Sequence, residues 1–183
     1  MASTRGGIDA SRFPALAAYL SALPQGLSSY PAAQALGILL RSSIAETYFH
    51  PSWKLLPEEL VNALKRPPLP TTWTSTVLTD AVFCVVADTF HPSEEAVRKW
   101  SYERTLRLAN LPMYATLTRL SGLRAFLKLA AKVHALFQRG TDLFVDVTPS
   151  QADVVLRHAP HLHGRLNHLS NEGVFRAALE SAG

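Results

Sequence analysis

LFVDVTPSQADVVLRH, Leu143 to His158, decides the fold class of this chain. Before Gly140 the apolar residues recur at helical spacing; here they alternate. LFVDVT and ADVVLRH flank Pro149, Ser150 and Gln151, which predicts an antiparallel β-hairpin over residues 143–157. Leu143, Val145 and Val147 share one face with Val154 and Leu156 of the partner strand. Phe144 and Val155 are apolar on the other face, so cover is expected over parts of both sides. Two strands alone are marginally stable, and a packed helix or a third strand is therefore implied.

The elements before the hairpin read as helices. Ser121 caps a long one that should end near Arg139-Gly140. On it Leu123, Phe126, Leu127, Ala130, His134 and Phe137 form one face, while Arg124, Lys128 and Lys132 repeat every four residues opposite. His134 thus points inward, where a core histidine with a backbone hydrogen bond is a simpler reading than an axial ligand or a catalytic base. In HPSEEAVRKW, Ser93 caps a helix with Glu94 and Glu95 in its first turn; it should reach Asn110, with Leu111-Pro112 separating it from a shorter helix to Leu120. LPEELVNALKRPPLP opens on Pro57 and two glutamates, closes on Lys65 and Arg66, and is stopped by prolines. A first helix is expected over Ser11–Leu23. A second is expected after a cap at Ser28 or Ser29, with Pro31 in its first turn and Ala35, Leu36, Leu39 and Leu40 on one face. Residues 74–90 are ambiguous: their β-branched content speaks for strand, their length and the Asp80/Asp88 spacing for a buried helix. A final helix starts near Ser170 or Asn171 and carries Val174, Phe175, Ala178 and Leu179 inward.

The chain has 183 residues, 48% hydrophobic and 17% charged, which suits one domain with a substantial core rather than a disordered tail. Apolar runs such as Ala81–Ala87 fall far short of the roughly 20 residues that span a bilayer. MASTRGGIDA has no apolar core of the secretory kind, and the single Cys84 cannot form an internal disulfide, so a cytoplasmic setting is expected. Among large apolar neighbours, Cys84 reads as a buried, inert thiol. The formal charge is +4, yet between Glu103 and Asp142 there are seven cations and no acid. A field of that kind favours an anionic partner.

Motifs for catalysis are missing: there is no GxxxxGK loop, GxGxxG after a strand, HExxH, CxxC pair or GxSxG elbow. The paired glutamates serve helix starts rather than acid–base chemistry. RHAPHLHGRLNH, Arg157 to His168, holds four of the seven histidines. His158, His161, His163 and His168 offer imidazole nitrogens that suit zinc, copper or nickel. Pro160 forbids a helix there and structural zinc usually recruits thiolates, so a solvated or pH-sensitive loop is the expectation and no metal is assigned.

Taken in order, SYPAAQALGILLR, EEAVRKWSYERTLRLANLP, the long helix, LFVDVTPSQADVVLRH and NEGVFRAALESAG resemble the myxobacterial paralogous family of uncharacterised proteins. That family is similar in layout to vinyl-4-reductase-like and haem-NO-binding-type sensor domains. The resemblance covers residues 28–183 as a core, with residues 1–27 as an N-terminal helix and connector. It implies an α+β fold with helices on a small antiparallel sheet, acting as a small-ligand sensor or assembly module. The haem-binding branch carries a YxSxR motif that this chain lacks, so haem is not implied. The vinyl-4-reductase-like branch uses cysteines, and here there is only Cys84. In the family layout the last helix leads into another strand, so the sheet is either completed by another chain or shortened.

The expectation is therefore an α+β, mainly helical single domain with an antiparallel hairpin in its C-terminal half, followed by a final helix. Its expected role is a non-catalytic binding module, with no cofactor, that senses a small apolar ligand or joins a protein partner or homodimer. Trp100, Tyr114, Phe126 and His134 are the candidate ligand-binding residues, with plain core packing on helical spacing as the competing reading for the three aromatics. The alternative is a nucleic-acid or acidic-partner binding protein that uses the basic block 104–139, with Arg124, Lys128 and Lys132 as its exposed stripe.

Overall fold

The computed structural model describes residues 8–110, 122–148 and 151–181. The fold is mainly helical α+β and contains the expected hairpin and final helix. In chain order the elements are α1 (Pro14–Ala22), β1 (Gln34–Leu36), α2 (Gly37–Ile44), α3 (Glu58–Lys65), β2 (Trp73–Ser75), α4 (Thr76–Phe90) and α5 (Glu94–Ala109). They continue with α6 (Gly122–Ala135), β3 (Gln138–Arg139), β4 (Asp142–Val147), β5 (Ala152–Arg157) and α7 (Arg165–Ser181).

Residues 74–90 resolve as mostly helix. Ser75 caps α4 by accepting the Leu78 N–H at 3.2 Å, and every residue from Thr76 to Ala87 except Leu78 is buried. β-branched residues disfavour a helix by only tenths of a kcal/mol each, which burial on all sides outweighs. Helices α1, α2 and α3 pack around α4. The N-terminus of α1 has no cap of its own; Asp88, on α4, accepts the Ala15 and Leu16 N–H groups at 3.1 and 3.0 Å. Helices α5 and α7 lie against each other closely enough that a Cβ on Gly173 would sit 2.7 Å from the Arg98 carbonyl.

Strands β4 and β5 pair antiparallel with Leu143 opposite Leu156 and Val145 opposite Val154, and α6 packs along β4. The turn residues Pro149 and Ser150 lie outside the described residues. The inner face is covered, but the outer face is not: Phe144 is 46% and Val155 49% exposed, with the Arg157 guanidinium 4.5 Å from the Phe144 ring centroid. The expected cover on that side is absent among the described residues.

Besides α1, which begins at Pro14 rather than Ser11, three boundaries differ from the sequence reading. Gln34–Leu36 is a strand rather than the start of a helix, because β1 pairs antiparallel with β2 on one side and β3 on the other. Those partners satisfy its backbone groups, and Ala35 and Leu36 are apolar in either conformation. Helix α6 ends at Ala135, after which β3 and Gly140, at φ +74°, redirect the chain into β4. Helix α7 begins at Arg165, earlier than Ser170, with the Gly164 carbonyl accepting the Asn167 and His168 N–H groups at 3.0 and 3.1 Å. The expected short helix to Leu120 and the cap at Ser121 lie outside the described residues.

Candidate functional site

A carboxylate inside the apolar helix α4 is the first unusual feature. Asp80 is 8% exposed, and a charge there costs several kcal/mol unless it is paired. Its partner is His163, 7% exposed, whose Nδ1 lies 2.7 Å from Asp80 Oδ2. Two tyrosines from the N-terminal part hold the loop that delivers this imidazole. Tyr19 donates its hydroxyl to the Leu162 carbonyl and Tyr30 donates to the Pro160 carbonyl, both at 2.7 Å. Between them His161 adopts φ +60°, a left-handed conformation uncommon outside glycine. Burial opposes the charged form of His163, but the charge of Asp80 and the hydrogen bond to it outweigh burial and raise its pKa.

Arg104, on α5, brings a cation to the same place. Its guanidinium donates to Ser43 Oγ on α2 at 2.7 Å and to Ser170 Oγ on α7 at 3.4 Å. The Phe83 and Trp100 ring centroids lie 5.3 and 5.4 Å away. Burial draws its pKa down to about 10, only partly offset by Asp80. No carboxylate forms an ion pair with Arg104 among the described residues.

These groups line a polar pocket of about 130 Å³, together with Thr76, Asn167 and Gln138. Thr76 Oγ1, Arg104 Nε, His163 Nε2 and Asn167 Oδ1 are buried there without a hydrogen-bond partner among the described residues. Unpartnered buried polar atoms are rare, so four around one pocket require an explanation. Next to it lies an apolar chamber of about 220 Å³ between α6, the hairpin and α7, walled by Leu127, Val133, Leu143, Val145, Val154 and Leu156. Gln138, His163, Asn171 and Val174 belong to the walls of both spaces. His134 also lines the apolar chamber, with Nε2 2.9 Å from Thr141 Oγ1. The Thr141 hydroxyl donates to Gln138 Oε1, so His134 presents Nε2–H to it, and burial together with the neighbouring His163 lowers the His134 pKa. The hydrogen bond expected to a backbone group goes instead to a side chain.

A groove of about 660 Å³ lies over α1, the end of α4 and the histidine segment. Its acids are already engaged, Asp88 with the α1 amides and Glu94 with Arg165 at 2.9 Å. In the histidine segment His158 lies 4.8 and 5.7 Å by ring centroids from His163 and His168. Among the described residues no three His, Cys, Asp or Glu side chains converge in a metal-holding group. The expectation of a solvated loop needs correcting at His163, which is buried and ion-paired, and at His168, which is on α7.

Of the sequence candidates, His134 lines the chamber and Trp100 does not. Trp100 stacks on Phe83 and His91 with centroids 4.8 and 4.3 Å apart and lines neither space. Tyr114 lies outside the described residues, as do the side chains of Phe126, Arg124 and Lys128. Lys132 is exposed. Cys84 is buried, and burial raises its pKa well above the ordinary thiol value. From the sequence, Asp80 is reached only through its spacing from Asp88, Arg104 only as the start of the basic block and His163 only as one of four clustered histidines, and the three are not joined into a site. Asp80, beside the apolar run AVFCVVA, is the available signal, since a buried charge demands a partner. No described helix is long and apolar enough to cross a membrane. Compared with protein-family models, curated proteins and solved structures, the chain has no match.

Proposed function

We propose that this chain is a non-catalytic binding module, a sensor or assembly domain that takes a small, largely apolar ligand between its hairpin and helices. The observation that carries this reading is the chamber of about 220 Å³ with aliphatic walls from α6, both hairpin strands and α7. With the polar pocket it adjoins, it reaches the lower end of the roughly 300–1,000 Å³ common for small-molecule sites. Apolar walls with a few convergent polar groups at one end are the usual composition of such a site. The resemblance to the myxobacterial family points in the same direction.

Calorimetric titration with 1-octanol tests the reading. Saturable binding with a negative heat-capacity change is expected for the native protein. It should be lost in Val154→Trp, where the indole fills the chamber. Unsaturable heats, or binding that the indole leaves intact, would overturn the proposal.

The exposed outer face of the hairpin favours a second occupant of the molecule, a protein partner or a second copy of this chain at Phe144 and Val155. The anionic-partner alternative rests on the basic block, of whose proposed stripe only the Lys132 side chain is described.

A further inference from the structure

The charged groups around the polar pocket are unevenly paired. Asp80 is hydrogen-bonded to His163, which leaves the half-buried Arg104, with its buried Nε, outside any ion pair among the described residues. The guanidinium is met by serine hydroxyls and aromatic rings, none of which carries a compensating charge. A charged N–H that is buried without an acceptor is costly, and the arrangement makes sense if an anion completes it.

We propose that the polar pocket is the head-group site for a carboxylate whose apolar tail occupies the adjoining chamber. Arg104 Nε–H is a free, charged donor on the pocket wall, and Thr76 contributes a hydroxyl. His163, with Nδ1 given to Asp80, has Nε2 left to donate when the ring is charged. Asn167 turns its NH2 group inward when its amide flips, which makes it a donor as well. The tail follows from the shared walls, because Val174 and Gln138 border the pocket on one side and the Val145–Val154 chamber on the other. His134, its pKa lowered, stands there as a neutral group. The ligand class is thus a small monocarboxylic acid with an aliphatic or aromatic body, too short and too singly charged for a phospholipid or a nucleotide.

This inference rests on the proposal of a ligand chamber, and one set of titrations separates the two. Sodium octanoate and 1-octanol share a tail and differ in charge. At neutral pH the native protein should bind octanoate at least about tenfold more tightly than octanol, the contribution of one or more charge-assisted hydrogen bonds. Arg104→Gln should reduce octanoate to the level of octanol and leave octanol unchanged. Lys132→Gln, on the exposed face of α6, should alter neither. If octanoate and octanol bind equally, the carboxylate site is wrong and the chamber stands. If neither binds, both ideas fail. The native comparison decides the question even where Arg104→Gln does not fold.

Discussion

Asp80 shows how one residue can organise a region far from it in sequence. Placed in the core helix α4, it draws His163 across the molecule, and Tyr19 and Tyr30 fix the loop that carries the imidazole. The pair makes stability depend on pH with a definite sign. His163 holds its proton more tightly in the folded state than in the unfolded chain, where histidine titrates near ~6.5. Its contribution is therefore complete below the unfolded pKa and is lost as pH rises through the folded value. His134 and His168, held below their ordinary values first by burial and in part by His163 itself, act in the opposite direction; only the burial part is common to native and variant proteins. Urea unfolding from mildly acidic to mildly alkaline pH should show a steeper fall in stability for the native protein than for His163→Gln. Equal slopes would mean that the pair does not hold its proton as described. At this scale little of the site was legible beforehand. Asp80 was noticed for its spacing from Asp88, and nothing local in the sequence announces a partner 83 residues away. The histidine cluster is visible in the sequence but divides between environments: His163 is buried against Asp80, while His161, at φ +60°, is exposed.

Elements with regular local patterns were read closely. The hairpin register, α3 and α5 follow alternation, capping and charge placement that need no tertiary information. β1, β2 and β3 were not read, since strands of two or three residues have too few positions for a period to appear, and only their mutual pairing defines them. The same hairpin that was legible as an element was misjudged in its surroundings, because alternation identifies a second apolar face and says nothing about what covers it. Phe144 and Val155 present that face to solvent. If it is a docking surface, sedimentation at matched concentrations should show association of the native protein, or its retention by a partner, abolished by Phe144→Lys. The variant's own stability should change by no more than about 0.5 kcal/mol, as at other surface positions. Monomeric behaviour of both proteins, with no partner retained by either, would count this face as ordinary surface.

Across the whole molecule, the fold divides into a helical part centred on α4 and a part built from α6, the hairpin and α7, with the polar pocket at the contact between them. The mainly helical α+β class was legible because the change of period after Gly140 is abrupt. The chamber was not, since a cavity is the space left between elements whose relative placement no single segment encodes. Its occupation by a ligand is the central claim. The most direct measurement is a methyl-resolved NMR titration of the labelled protein with 1-octanol. Saturating shifts are expected at Leu127, Val133, Leu143, Val145, Val154 and Leu156, with Val82, Val85 and Val86 inside the α4 core unmoved. Shifts that never saturate, or that appear at the α4 core and spare the chamber walls, would contradict it.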